Sequence, residues 1–230
     1  MTLDRRAFSI GVAAAGLGSG LATTPTQAQA QGKAPVEGVQ YVRLEPPIAA
    51  TTPGRIEVVE FFWYECPHCN AFEPVLETWA QRLPAKVVLR RVPVWFREVP
   101  FAAQQRLYYT IETLGLVPTL HKRVFAMIHN DRARLRTTED MAAFALTNGV
   151  DPIKFMTAYG SPEVTALAQQ ARQLADAYKV DAVPSMGVQG RYTTNGTLAN
   201  AGLPPKGPEV GNERLLGVVD ALIVKARKPG

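Results

Sequence analysis

The chain has two cysteines in 230 residues, and they stand three apart as Cys66-Pro67-His68-Cys69. At that spacing the two sulfurs can close on each other into a small ring. An outside thiolate can open the ring and let it re-form, which is disulfide exchange. Without a third cysteine the pair cannot belong to a stapled disulfide framework or to a four-cysteine zinc site. A lone stabilising disulfide is the plainer alternative. It is a weak one, because so short a loop removes little entropy from the unfolded chain.

The flanking residues say what positions the pair. Upstream, Arg55 to Trp63 (RIEVVEFFW) is apolar and rich in β-branched and aromatic side chains, which predicts a largely buried strand. Downstream, Phe72, Val75, Leu76, Trp79 and Leu83 recur at helical spacing from Pro67 onward. Pro67 suits a first helical turn, where its missing N–H needs no partner. Pro74 predicts a kink, since it removes an interior hydrogen bond. Cys66 therefore falls where a strand hands over to a helix N-terminus, and free N–H groups and the helix dipole favour a thiolate there. The dipole is worth roughly 0.3–2 kcal/mol against about 1.36 kcal/mol per pKa unit, so a depression of several units needs a further source. His68, between the cysteines, is the second contributor. Glu60, six residues before Cys66 in an apolar run, reads as a buried carboxyl raised by desolvation. It could pass protons to or from Cys69. The alternative is a strand-end carboxylate that reaches water.

These residues resemble the DsbA family of the thioredoxin superfamily. One block is Glu60-Phe61-Phe62, Cys66-Pro67-His68-Cys69, Phe72 and Glu73; a second is Ala182-Val183-Pro184-Ser185-Met186, followed by Gly190-Arg191-Tyr192. The resemblance covers roughly residues 35 to 228. It implies that Pro184 opens a strand through a cis bond facing the cysteine pair. Val183 and Pro184 then border an open backbone edge where substrate can pair as an added strand. It implies an oxidant that needs no bound cofactor and is re-oxidised by a DsbB-like, quinone-linked membrane protein; strong oxidation by such a low-pKa cysteine is a known property of DsbA itself. Glu65 departs from the pattern. The family often has an apolar or small residue there, and a carboxylate beside Cys66 should raise its pKa.

The N-terminus reads as a cleavable export signal. Arg5-Arg6 is its basic region, Ala7 to Ala22 a weakly apolar stretch, and Ala28-Gln29-Ala30 a small-x-small site. Arg5-Arg6-Ala7-Phe8 also fits a twin-arginine signal in part, so either that route or the general secretory route leads to the periplasm, an oxidising space. The formal charge of +5 falls to +4 once residues 1–30, with two arginines and one aspartate, are removed. That modest excess without a basic-aromatic pattern argues against nucleic acid.

Short strands are predicted at 39–44, 86–95, 185–189 and 191–194, with a turn at Gln189-Gly190. Helices are predicted near 101–114, 119–129, 138–147, 152–159, 163–178 and 213–226, and Thr193 to Gly211 reads as a loop. Thr137 or Thr138 caps one helix, and Asp151-Pro152 starts another. This order describes an α/β, thioredoxin-like fold with an inserted all-helical domain: 31–99 and 179–230 form the first part, and 100–178 the insertion. Arg132, Arg134 and Arg136 read as a solvated patch. His121 and His129 read as structural or surface residues rather than metal ligands, with no carboxylate or cysteine partner evident nearby.

The reading that follows is a monomeric oxidoreductase in which a substrate thiolate attacks Cys66 and Cys69 leaves. A second substrate thiolate then expels Cys66. Its substrates are unfolded or reduced exported proteins. A disulfide isomerase or reductase of the same fold and a non-catalytic periplasmic chaperone are the alternatives.

Overall fold

A computed structural model describes residues 34–49, 51–95 and 102–227. The export-signal segment lies outside them. Five strands form one mixed sheet: β1 (Val42–Arg43), β2 (Ile56–Phe62), β3 (Val87–Pro93), β4 (Ser185–Val188) and β5 (Tyr192–Asn195), in the order β1-β5-β4-β2-β3. β2 pairs parallel with β3, and antiparallel with β4. A strand with neighbours on both sides and layers on both faces reads as a nearly continuous apolar run. Val58, Val59, Phe61 and Phe62 are accordingly fully buried.

One face of the sheet is covered by α1 (Pro67–Ala80) and α8 (Gly207–Ala226). Val58, Met186 and Val188 pack there with Phe72, Leu76, Leu215 and Val219. The Trp79 indole N–H donates to Asp220 at 2.8 Å and ties the two helices together. The other face carries Val59 and Phe61, which belong to a core that includes Leu107, Val124, Phe125 and Phe144. These come from helices between β3 and β4: α2 (Ala102–Thr113), α3 (Val117–His129), α4 (Thr138–Thr147), α5 (Pro152–Tyr159) and α6 (Pro162–Ala177). Thr137 closes a capping box with Asp140, and Asp151 caps α5. At the β4–β5 turn, Gln189 and Gly190 both have positive φ, and the Arg191 N–H donates to the Val188 carbonyl. That is the backbone a right-twisted hairpin needs.

Three sequence expectations need correction. The segment Thr193 to Gly211 is not a loop. It completes β5 and holds α7 (Gly196–Ala199), whose first turn is capped when the Asn195 side chain accepts the Leu198 N–H. α8 starts at Gly207 rather than Glu213, with a proline in its first turn. β1 is confined to Val42–Arg43, because Gly38 to Gln40 are in a turn. α1 runs through Pro74 as one helix.

Candidate active site

Cys66 is the N-cap residue of α1, in extended conformation, with Pro67 in the first turn. Its thiol stands at the mouth of the helix and is 7% exposed as a residue, whereas Cys69, one turn in, is fully buried. Pro67 and His68 are exposed beside them. The two sulfurs are not bonded to each other, and their surroundings drive their proton affinities apart. The Cys69 S–H, donating to Cys66, is the largest influence on the Cys66 thiol. Burial opposes it, and the N–H groups of Cys69 and His68 together with the His68 charge add to it, so Cys66 is pulled down to about 6. Burial pushes Cys69 well above its ordinary value, reinforced by the anion it would face at Cys66 and by Glu60. At neutral pH one sulfur is an anion and the other keeps its proton.

The loop before β4 completes the mouth of the site. Cys66 Sγ lies 3.5 Å from the Val183 carbonyl oxygen, a contact its thiol form makes as donor. The Val183–Pro184 bond is cis. Residues 117 positions apart in the chain are thereby brought together.

Beneath the cysteines lies a buried charged cluster. Glu60 is fully buried, and burial, then the neighbouring Glu73, push its carboxyl well up while Arg91 opposes them. Its Oε2 is 3.4 Å from Arg91 Nε, close enough for attraction but without hydrogen-bond geometry. Arg91 gives its hydrogen bond to Glu73 instead, at 2.6 Å. His121 Nε2 stands 3.5 Å from the other Glu73 oxygen, and His121 Nδ1 is 2.8 Å from the Tyr64 hydroxyl. Burial raises Glu73, but His121 and Arg91 outweigh it and hold the carboxyl below its ordinary value. Burial keeps His121 itself below its usual value. At neutral pH the ring is therefore uncharged, and Arg91 supplies the standing positive charge.

Glu60 is legible in the sequence, whereas Arg91, Tyr64 and the partnership of His121 are not, and Glu73 is reached only through the family resemblance. A signal was available. Arg90-Arg91 interrupts an otherwise apolar strand, and in the parallel ladder Arg91 stands opposite Glu60. His121 does have a carboxylate neighbour, brought from α1. Among the described residues, no group of three histidine, cysteine or acidic side chains could hold a metal.

Two further expectations change. Arg136 is not part of a solvated patch. Its Nε donates to Glu65 Oε1 at 2.7 Å and its Nη2 to Oε2 at 2.5 Å. Glu65, expected to act on Cys66 as a free carboxylate, is occupied by that fork and by the Gln104 amide at 2.8 Å.

The family model described as DSBA-like thioredoxin domain matches residues 91–202. The thiol:disulfide interchange protein DsbA of Bordetella pertussis is 42% identical over 219 residues, covering 94% of this chain and 96% of that protein. DsbA of Azotobacter vinelandii is 40% identical over 211 residues, 91% of this chain and 94% of its own. Among solved structures, Pseudomonas aeruginosa DsbA superposes with a TM-score of 0.76 at 38% identity, covering 84% of this chain and 94% of that one. The oxidoreductase DsbA from Xylella fastidiosa gives 0.73 at 30% identity, with coverage of 84% and 98%.

Proposed function

We propose that this chain, which belongs to the DsbA family and is a thiol:disulfide oxidoreductase of thioredoxin-like fold, works through Cys66 as the sulfur that meets substrate. The observation that carries this reading is the asymmetry of the pair: a helix-mouth thiol drawn down to about 6 beside a buried thiol pushed up. In the oxidised enzyme the substrate thiolate attacks Cys66, the Cys66–Cys69 bond breaks, and Cys69 leaves and takes up a proton. A second substrate thiolate then attacks its own sulfur in the mixed disulfide. The substrate gains a disulfide, and Cys66 departs as a stabilised thiolate. A low leaving-group pKa speeds that departure and makes the dithiol form favourable, so the disulfide is oxidising.

Glu60, buried near Cys69, is the group that accepts or returns the Cys69 proton. His68 supports the thiolate. Pro67 starts the helix without wasting an N–H. Val183 and Pro184 border the sulfur where an extended substrate backbone would lie. The substrates are reduced or unfolded exported proteins, the compartment is the periplasm, and re-oxidation falls to a DsbB-like membrane quinone oxidoreductase.

The test is a pair of serine variants with a redox titration. Cys66→Ser should abolish oxidation of a reduced model protein, whereas Cys69→Ser should accumulate mixed disulfides through Cys66. In graded glutathione buffers the wild-type pair should stay reduced until the buffer is strongly oxidising. A pair that remains oxidised under cytosol-like reducing conditions would overturn the donor reading.

A further inference from the structure

Glu65 is an unusual neighbour for a sulfur that has to become an anion. Its Cα is one peptide, about 3.8 Å, from that of Cys66. A free carboxylate so placed would oppose the thiolate. The fold answers from the helical block. Arg136 lies just before the Thr137 cap of α4 and grips both Glu65 oxygens in a planar fork, the geometry an arginine offers and a lysine does not. Gln104 of α2 donates to Glu65 Oε1 and, at 3.0 Å, to the Arg134 carbonyl, so the arginine segment and α2 are joined at the same carboxylate. Arg136 is itself held, because its backbone N–H donates to Asp140 Oδ2 at 2.8 Å. The Glu65 side chain is 14% exposed and that of Arg136 31%, so the pair is partly shielded from water.

We propose that Arg136 is a positioning residue for the redox reaction: from the helical block it occupies the Glu65 carboxylate, so that this residue is not an uncompensated anion next to Cys66. This rests on Cys66 being the substrate-facing thiolate. Among the described residues, the polar groups that meet Cys66 are His68 and Cys69 from α1 and the Val183 carbonyl before β4. Those that meet Glu65 are Arg136 and Gln104, with Asp140 behind Arg136. The helical block thus contributes to the chemistry of a cysteine it does not carry.

The experiment is a charge cycle of Arg136→Gln, Glu65→Gln and the double variant, each titrated by thiolate absorbance and equilibrated with glutathione. In that equilibrium, enzyme disulfide and two glutathiones give enzyme dithiol and one glutathione disulfide. Arg136→Gln should raise the Cys66 titration by roughly half a unit to one unit. It should also shift the equilibrium roughly threefold to fivefold toward enzyme disulfide. The double variant should return both readouts to near wild type, a rescue that a packing role would not give. No shift in Arg136→Gln, or an equal shift in the double variant, overturns the proposal. Should Arg136→Gln fail to fold, Glu65→Gln decides: a lowered Cys66 titration supports the proposal, and an unchanged or raised one defeats it. A wild-type Cys66 titrating as an ordinary thiol would defeat the underlying reading of the site itself. A low wild-type value with a silent Arg136→Gln defeats only the role of Arg136.

Discussion

Glu60 stands directly across the parallel β2–β3 ladder from Arg91, yet the guanidinium reserves its hydrogen bond for Glu73 on α1. One cation is thus shared by two buried carboxyls, and the better-bonded of them, Glu73, is the one held ionised. Glu60 is left as the carboxyl that holds a proton more tightly than usual, close to the buried Cys69.

That division has a sign that can be measured. The folded-state pKa of Glu60 is raised above its ordinary 4.5, so the native state holds a proton that the unfolded chain has released. Stability therefore falls as pH rises from about 4.5 toward the folded value, and below 4.5 the effect is absent. Glu60→Gln should remove the decline. Urea unfolding should show the variant more stable at pH 8 by on the order of 1 kcal/mol, with the gap closing toward pH 4. The same change should slow closure of the Cys66–Cys69 disulfide from a mixed disulfide by about tenfold or more, because the acceptor proposed for the Cys69 proton, the ionised form of Glu60, is lost. A variant no more stable than the parent at pH 8 would contradict the raised proton affinity of Glu60.

His121 carries the opposite slope. Burial lowers its folded pKa below the ordinary 6.5, so the unfolded chain binds the proton more readily. Its contribution is fully present above pH 6.5 and is lost as pH falls through the folded value. His121→Gln keeps a polar side chain near Glu73 and Tyr64 but does not titrate. It should flatten the acid-side loss of stability below about pH 6.5, even if it costs about 1 kcal/mol at pH 8 through the disturbed Tyr64 contact. Parallel stability curves for parent and variant across that window would rule His121 out as the source.

How much of this was legible depended on how local each feature is. The CPHC pair, the strand before it and the helix after it could be read directly, because period, proline position and capping act within a few residues. The Thr137 and Asp151 caps were legible for the same reason. Val183 and Pro184 became readable only through family resemblance, since nothing in a Val-Pro dipeptide says that its carbonyl meets a sulfur 117 positions away. The Glu65–Arg136 fork, 71 positions apart, and the Glu73–His121 contact could not be read, because each is made when the helical block docks on α1 or its entry loop. The misread stretch at 193–211 follows the same logic. α7 is one turn long, and its Asn200 side chain donates to the Gly211 carbonyl of α8, a tertiary contact that a glycine- and proline-rich composition hides.

The two sulfurs offer a direct test of the hydrogen bond between them. Because the Cys69 S–H is the largest influence lowering Cys66, a substitution that keeps a donor and one that deletes it should separate. Cys69→Ser should leave Cys66 titrating near 6, whereas Cys69→Ala should raise it by roughly one unit, read as thiolate absorbance against pH. Equal titrations in the two variants would shift the credit to the helix N-terminus and His68.

The seat of β4 depends on a residue with no side chain. Gly187 pairs with Val59 in the sheet, and a Cβ added to it would stand 2.2 Å from Cε1 of the Tyr178 ring, far inside van der Waals contact. That ring cannot swing away cheaply. It packs on Phe61 with centroids 5.1 Å apart, and its hydroxyl accepts the Gly190 N–H at 3.0 Å. Relief would have to come from moving β4, and with it the Val183 carbonyl at the active site. Gly187→Ala should therefore destabilise the protein by about 1–3 kcal/mol in denaturant unfolding. Adding Tyr178→Leu should recover part of that loss by vacating the ring's space, although the hydroxyl's bond to Gly190 is forfeited. If Gly187→Ala unfolds within about 0.5 kcal/mol of the parent, the strand has room that this packing denies it, and Tyr178 is not the wall that fixes β4.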